Sequence, residues 1–90
     1  GADLVVVECV PSSLGRELSQ ALSIPVIGIG AGPDTDAQVL VLYDMIGISP
    51  RLPRFSKDFL EPVLSIQEAI TAYGNAVRNR QFPAPEHCFK

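Results

Sequence analysis

Basic clusters, long apolar runs and paired cysteines are all scarce in this 90-residue chain, and each shortage removes a class of function. Seven Lys and Arg against ten Asp and Glu leave a formal charge of −3. With no basic stripe and no basic–aromatic interleaving, neither nucleic acid nor an anionic membrane is expected as a partner. The single cationic stretch, Arg51, Arg54 and Lys57, suits either a solvated face or contact with an anionic cofactor tail. Cys9 and Cys88 are the only cysteines. They lie far apart, and the His87–Cys88 pair is too short to hold a zinc ion alone, so a reducing cytosol fits better than a disulfide framework. No charged segment followed by an apolar one opens the chain, and no apolar run approaches the roughly 20 residues of a membrane span. A cytoplasmic location is therefore expected.

What is present is an ordinary globular composition, 47% hydrophobic and 19% charged. Asp3 to Cys9 is a β-branched run without alternation, as in a strand buried on both faces of a parallel sheet. Pro11 ends it, Ser12 and Ser13 offer N-cap oxygens, and Leu14, Leu18, Ala21 and Leu22 fall on one helical face with Gly15 as the weak point. Ile24 to Ile29 reads as a second strand, and Val39 to Tyr43 as a third that stops at Asp44. Ser65 and Glu68 have capping-box spacing at the start of a last helix with Ile66, Ala69, Ile70, Tyr73 and Val77 on its apolar face. Phe55 to Leu60 is a candidate helical turn, cut off from that helix by Pro62. Three parallel strands with so few helices cannot cover both sheet faces, so a piece of a larger α/β protein is expected.

Glu8 carries the clearest chemical signal. A carboxylate among Val5, Val6, Val7, Cys9 and Val10 either reaches water at the strand end or is buried at considerable cost. Desolvated at the end of an α/β strand it would suit proton abstraction; the alternative is an exposed or ion-paired glutamate. Gly28-Ile29-Gly30-Ala31-Gly32 permits close ligand approach or positive φ, and equally a tight turn without a ligand. It is not a dinucleotide fingerprint, because Pro33-Asp34-Thr35-Asp36 leads to a strand rather than a helix. Asp34, Asp36 and Asp44 read as turn chemistry in preference to a metal site. His87, in a proline-rich tail, reads as a docking contact, and Tyr43 and Phe55 as core or pocket-wall aromatics.

Residues 4–11 (Leu-Val-Val-Val-Glu-Cys-Val-Pro), 21–32 (Ala-Leu-Ser-Ile-Pro-Val-Ile-Gly-Ile-Gly-Ala-Gly), 38–47 (Gln-Val-Leu-Val-Leu-Tyr-Asp-Met-Ile-Gly), 53–55 (Pro-Arg-Phe) and 82–89 (Phe-Pro-Ala-Pro-Glu-His-Cys-Phe) together resemble the ketopantoate hydroxymethyltransferase family. Five ordered segments at compatible spacing are more specific than any one of them. The resemblance implies an α/β fold, the C-terminal portion of a (β/α)₈ barrel of the phosphoenolpyruvate/pyruvate superfamily, with residues 1–90 supplying about three parallel strands and helices but no complete domain.

The resemblance also implies transfer of a one-carbon unit from methylene-tetrahydrofolate to 3-methyl-2-oxobutanoate, giving 2-dehydropantoate for pantothenate biosynthesis. Glu8 would be the base that removes the C3 proton, and Gly28, Ile29 and Gly30 would border the substrate. Mg²⁺ would act as Lewis acid, with ligands expected from earlier strands and none from this chain. A homo-oligomer, a decamer in bacterial members of the family, is implied as well. Ala37, Tyr43 and Cys88 stand where many members carry glycine, histidine and serine. The competing readings are a non-catalytic fragment acting only in assembly, or another keto-acid enzyme of the same superfamily. By itself the 90-residue chain is expected to be inactive.

Overall fold

Two short β-branched segments separated by one amphipathic segment form a βαβ unit, and the rest of the chain adds a third strand and a helical layer. The computed structural model describes residues 1–90. In order these are β1 (Val5–Glu8), α1 (Ser12–Ala21), β2 (Val26–Ile29), β3 (Ala37–Gln38), α2 (Leu42–Met45), α3 (Ile66–Arg78) and a 3₁₀ turn over Pro85–His87. The strands are all parallel in the spatial order β1-β2-β3, with Val5 opposite Val26, Glu8 opposite Ile29 and Ile27 opposite Ala37. Sequential parallel strands are what a barrel wall requires.

The expectation that β1 is buried on both faces is not met. Val5 and Val7 are half-buried while Val6 and Glu8 are exposed. Alternate residues of a strand point to opposite faces, and within these 90 residues nothing covers the face of Val6 and Glu8. Only β2, between its two neighbours, is largely buried.

The third strand is shorter and earlier than the apolar run indicated. Ladder bonding continues only to the amide of Val39, which donates to the Gly28 carbonyl (3.0 Å). β2 turns away at Gly30, φ +67°, and leaves the following residues without a partner. Leu42 to Met45 then form α2, and Val41 and Tyr43 lie 54% and 60% exposed. Tyr43 is accordingly not a core aromatic. Phe55 to Leu60 makes no helix either; the Ser56 amide donates to the Pro53 carbonyl (3.0 Å) in a single turn.

At the start of α1 neither serine caps. Pro11 is the N-cap residue and Ser12 already lies inside the helix. The Ser12 amide donates instead to the Phe89 carbonyl (3.0 Å), so the C-terminal segment satisfies an amide that a side chain was expected to reach. Gly15, weak by propensity, is buried where α1 meets the loop after β2, and a Cβ there would overlap the Ala31 carbonyl oxygen.

α3 begins as its sequence requires, with Ser65 Oγ accepting from the Glu68 amide (3.1 Å). The Glu68 carboxylate reaches one residue further back, to the Leu64 amide (3.3 Å). Its apolar face splits: Ala69, Tyr73 and Val77 pack inward, while Ile66 and Ile70 remain about half exposed. The core lies on that inner face, where Met45, Ile46, Phe59, Ala69 and Phe82 are buried together.

Candidate functional site

The C-terminal ends of β1 and β2 meet side by side because Glu8 and Ile29 are register partners. Beyond them the Cys9 amide donates to the Ile29 carbonyl (2.9 Å) and the Val10 amide to the Gly30 carbonyl (3.1 Å). These bonds carry the pairing a step past Glu8, the last residue of β1. Its side chain is exposed and has no hydrogen-bond or ion-pair partner within the 90 residues. Within these 90 residues this is the exposed form of the alternative reading, a strand-terminal glutamate in water, and not the desolvated carboxylate. A free carboxylate at a strand end remains, without the apolar enclosure expected of it, since Val6 on the same face is exposed as well.

Gly28, Ile29 and Gly30 are all buried, and none of them lines any of the four cavities of the chain. The space their side chains would occupy is used internally. A Cβ on Gly30 would sit 3.0 Å from the Phe55 ring, and one on Gly28 2.8 Å from Thr35 Oγ1. Gly30 also has φ +67°, which glycine alone adopts freely. Ligand approach, if it occurs here, is by backbone.

The C-terminal tail closes over the same end of the sheet. Phe89 bridges to Pro11, lies 6.4 Å from the Phe55 ring, and has the Arg54 guanidinium 5.7 Å above its centroid. A cavity of about 350 Å³ lies beside it, lined by Ser12, Asp34, Arg54, Cys88 and Phe89 among others, and does not include Glu8. His87 holds the tail's turn: Nδ1 accepts from the Ala84 amide (3.0 Å), and its ring lies 4.9 Å from that of Phe82. Burial lowers the His87 pKa and raises that of Cys88.

The aspartates do not perform the local turn chemistry expected of them. Asp34 pairs with Arg80 (2.6 Å) and more distantly with Arg16 (3.8 Å), tying the loop after β2 to α1 and to the segment just past α3. Asp36 accepts from the Val26 amide (2.8 Å), and Asp44, buried, accepts from Ser49 Oγ (2.6 Å). With these carboxylates engaged separately, no group of three His, Cys, Asp or Glu side chains converges on one point. Asp34, Asp36 and Asp44 are thus spent on separate partners and are not gathered as a ligand set for magnesium. Sequence reasoning passed over Cys9, whose φ of +54° is unusual for a residue with a side chain. The only hint was Pro11 two residues on, which marks the end of the strand but not the turn that makes it. No helix is long and apolar enough to cross a membrane.

Comparison with known proteins places the chain in a family. The sequence profile of the family described as ketopantoate hydroxymethyltransferase matches residues 1–85. The 3-methyl-2-oxobutanoate hydroxymethyltransferase of Alkalilimnicola ehrlichii is 59% identical over 99% of the chain, that of Marinobacter nauticus 59% over 100%, and that of Chromohalobacter salexigens 56% over 99%. The chain spans only 32–34% of the length of these relatives. Its profile, its identity to these relatives and its three parallel strands with helices give one answer: the chain belongs to the ketopantoate hydroxymethyltransferase family.

Proposed function

We propose that residues 1–90 are the C-terminal part of one (β/α)₈ barrel and carry the general base of a one-carbon transfer to 3-methyl-2-oxobutanoate. The observation that supports this most directly is Glu8, a partnerless carboxylate at the C-terminal end of a parallel strand, the end at which α/β barrels place their active sites. Glu8 takes the C3 proton and the C–H electron pair becomes the enolate. Water adds to the methylene carbon of methylene-tetrahydrofolate and both C–N bonds break, releasing tetrahydrofolate and formaldehyde. The enolate carbon bonds to the formaldehyde carbon as the C=O π pair passes to oxygen, and that oxygen takes a proton to become the hydroxyl of 2-dehydropantoate. The backbone of Gly28, Ile29 and Gly30 forms the adjoining wall of the mouth.

The rest of the barrel covers Val6 and excludes water around Glu8, which is the enclosure that a carboxylate base needs near neutral pH. Magnesium takes its ligands from residues outside these 90, and no step here runs through it. The enzyme works in the cytoplasm as a homo-oligomer, and the match to this family, in place of another keto-acid barrel, favours pantothenate biosynthesis as its setting.

The test is a chimera in which residues 1–90 replace the matching third of the Marinobacter nauticus relative. Exchange of the C3 hydrogen of 3-methyl-2-oxobutanoate in deuterated water isolates proton removal from folate chemistry. The parental chimera should exchange, and Glu8→Gln, which keeps the shape and removes the base, should lower the rate by about 10²–10⁴-fold. A silent parental chimera, or a Glu8→Gln variant exchanging at the parental rate, overturns the proposal.

A further inference from the structure

Two neighbouring strands leave the sheet at the same level by the same unusual turn. Glu8 and Ile29 are register partners, and the residues immediately after them, Cys9 and Gly30, have φ of +54° and +67°. The second needs glycine on two counts, its left-handed backbone and the Phe55 ring that would lie 3.0 Å from a Cβ. The first has no such crowding, for Cys9 is exposed, yet a residue with a side chain there still occupies a backbone region that such residues seldom adopt. Backbone conformations of this kind persist where surrounding structure over-determines them, and they concentrate at functional sites. Here the surroundings are visible: amide bonds from Cys9 and Val10 onto the carbonyls of Ile29 and Gly30, and the Pro11–Phe89 bridge just beyond.

We propose that Cys9 is a positioning residue, and that its left-handed backbone, not its thiol, sets the direction of the Glu8 carboxylate at the mouth. This rests on the assignment of Glu8 as base. Cys9 and Val10 remain bonded to Ile29 and Gly30, so the turn does not part the strands; it re-aims the backbone immediately after Glu8, against which the carboxylate must be set. The two turns sit side by side, and Gly30 yields its Cβ space to the Phe55 ring.

The distinguishing variants are Cys9→Ala, which removes the thiol and keeps the same backbone demand, Cys9→Gly, which relaxes that demand, and Cys9→Val, whose β-branched side chain opposes positive φ. In the chimera described above, Cys9→Ala and Cys9→Gly should exchange C3 hydrogen at the parental rate. Cys9→Val should lose about 10–100-fold in kcat with KM unchanged, as expected when a base is misplaced but substrate still binds. Cys9→Thr, β-branched but polar, repeats the test if Cys9→Val is insoluble. Cys9→Val at the parental rate, or Cys9→Ala falling as far as Cys9→Val, overturns the positioning role. If Glu8→Gln itself keeps its exchange, the base assignment falls and this inference with it; if Glu8→Gln is silent while Cys9→Val is unimpaired, only the positioning role is lost.

Discussion

Around Phe59 a set of apolar side chains closes on itself, whereas along the sheet many stay open. Phe59, Tyr73 and Phe82 meet edge to face with centroids 5.4–6.0 Å apart, over the buried Met45, Ile46 and Ala69. In the sheet Val6 stands 54% exposed, Val39 just past β3 stands 43% exposed, and the outer edges of β1 and β3 have no neighbour. Both regions are comparably apolar in sequence. The difference is that the cluster around Phe59 is closed by its own chain, while a parallel strand is completed only by flanking strands and by cover on both faces. Open edges and exposed valines are the form that parallel strands take where neither neighbour nor cover meets them.

The sharpest way to break this comparison is to ask the sheet region to work alone. The isolated chain should show no C3 exchange above the uncatalysed rate and should self-associate through its open edges. A soluble monomer that exchanges would mean the sheet needs no further cover. Next comes the helical region, where Phe59→Ala should cost about 3–5 kcal/mol by removing the ring shared by Tyr73 and Phe82. In the chimera this should appear as a lowered melting temperature with exchange kinetics unchanged below it. Lost exchange at full folding would couple two regions that the contacts keep apart.

A smaller effect tests the seam between α1 and β2. Propensity alone predicts that Gly15→Ala stabilises α1 by about 1 kcal/mol. Overlap with the Ala31 carbonyl predicts the opposite, a loss of about 1–3 kcal/mol in thermal unfolding. Stabilisation would show that the sheet yields where the helix pushes. Smaller again is Tyr73→Phe. The Tyr73 hydroxyl is buried without a partner, and the same burial raises its pKa. Removing an unsatisfied hydroxyl should raise stability by about 1 kcal/mol in denaturant unfolding, and a loss instead would reveal a partner for it.

The smallest effect concerns the tail. Burial lowers the folded-state pKa of His87 below its ordinary 6.5, and the neutral ring accepts the Ala84 amide. The stabilisation is therefore complete above the unfolded value and is lost as pH falls from about 6.5 through the lowered folded pKa. The protection factor of the Ala84 amide, its exchange rate taken relative to an unstructured amide at the same pH, should fall across that window. Protection that is flat from pH 7 to 5 would show that the tail is held by Phe82 and Phe89 alone.

The sequence alone determined a good deal of this protein. The capping serine at 65, the first two strands, the family resemblance and the candidate base are all encoded within a few neighbouring residues, by hydrogen-bonding groups at fixed offsets and by β-branched runs. The segment Val39 to Tyr43 shows where such local reading stops, because its strand-like composition is overruled once β2 turns away at Gly30 and no partner remains. Tertiary structure also decided that Gly15 is a contact and not a weakness, that the amide of Ser12 is met by Phe89, and that Asp34 binds Arg80 across the fold. The left-handed turn at Cys9 belongs to the same group. Each depends on a residue distant in the chain, and no local pattern records which distant atom will arrive.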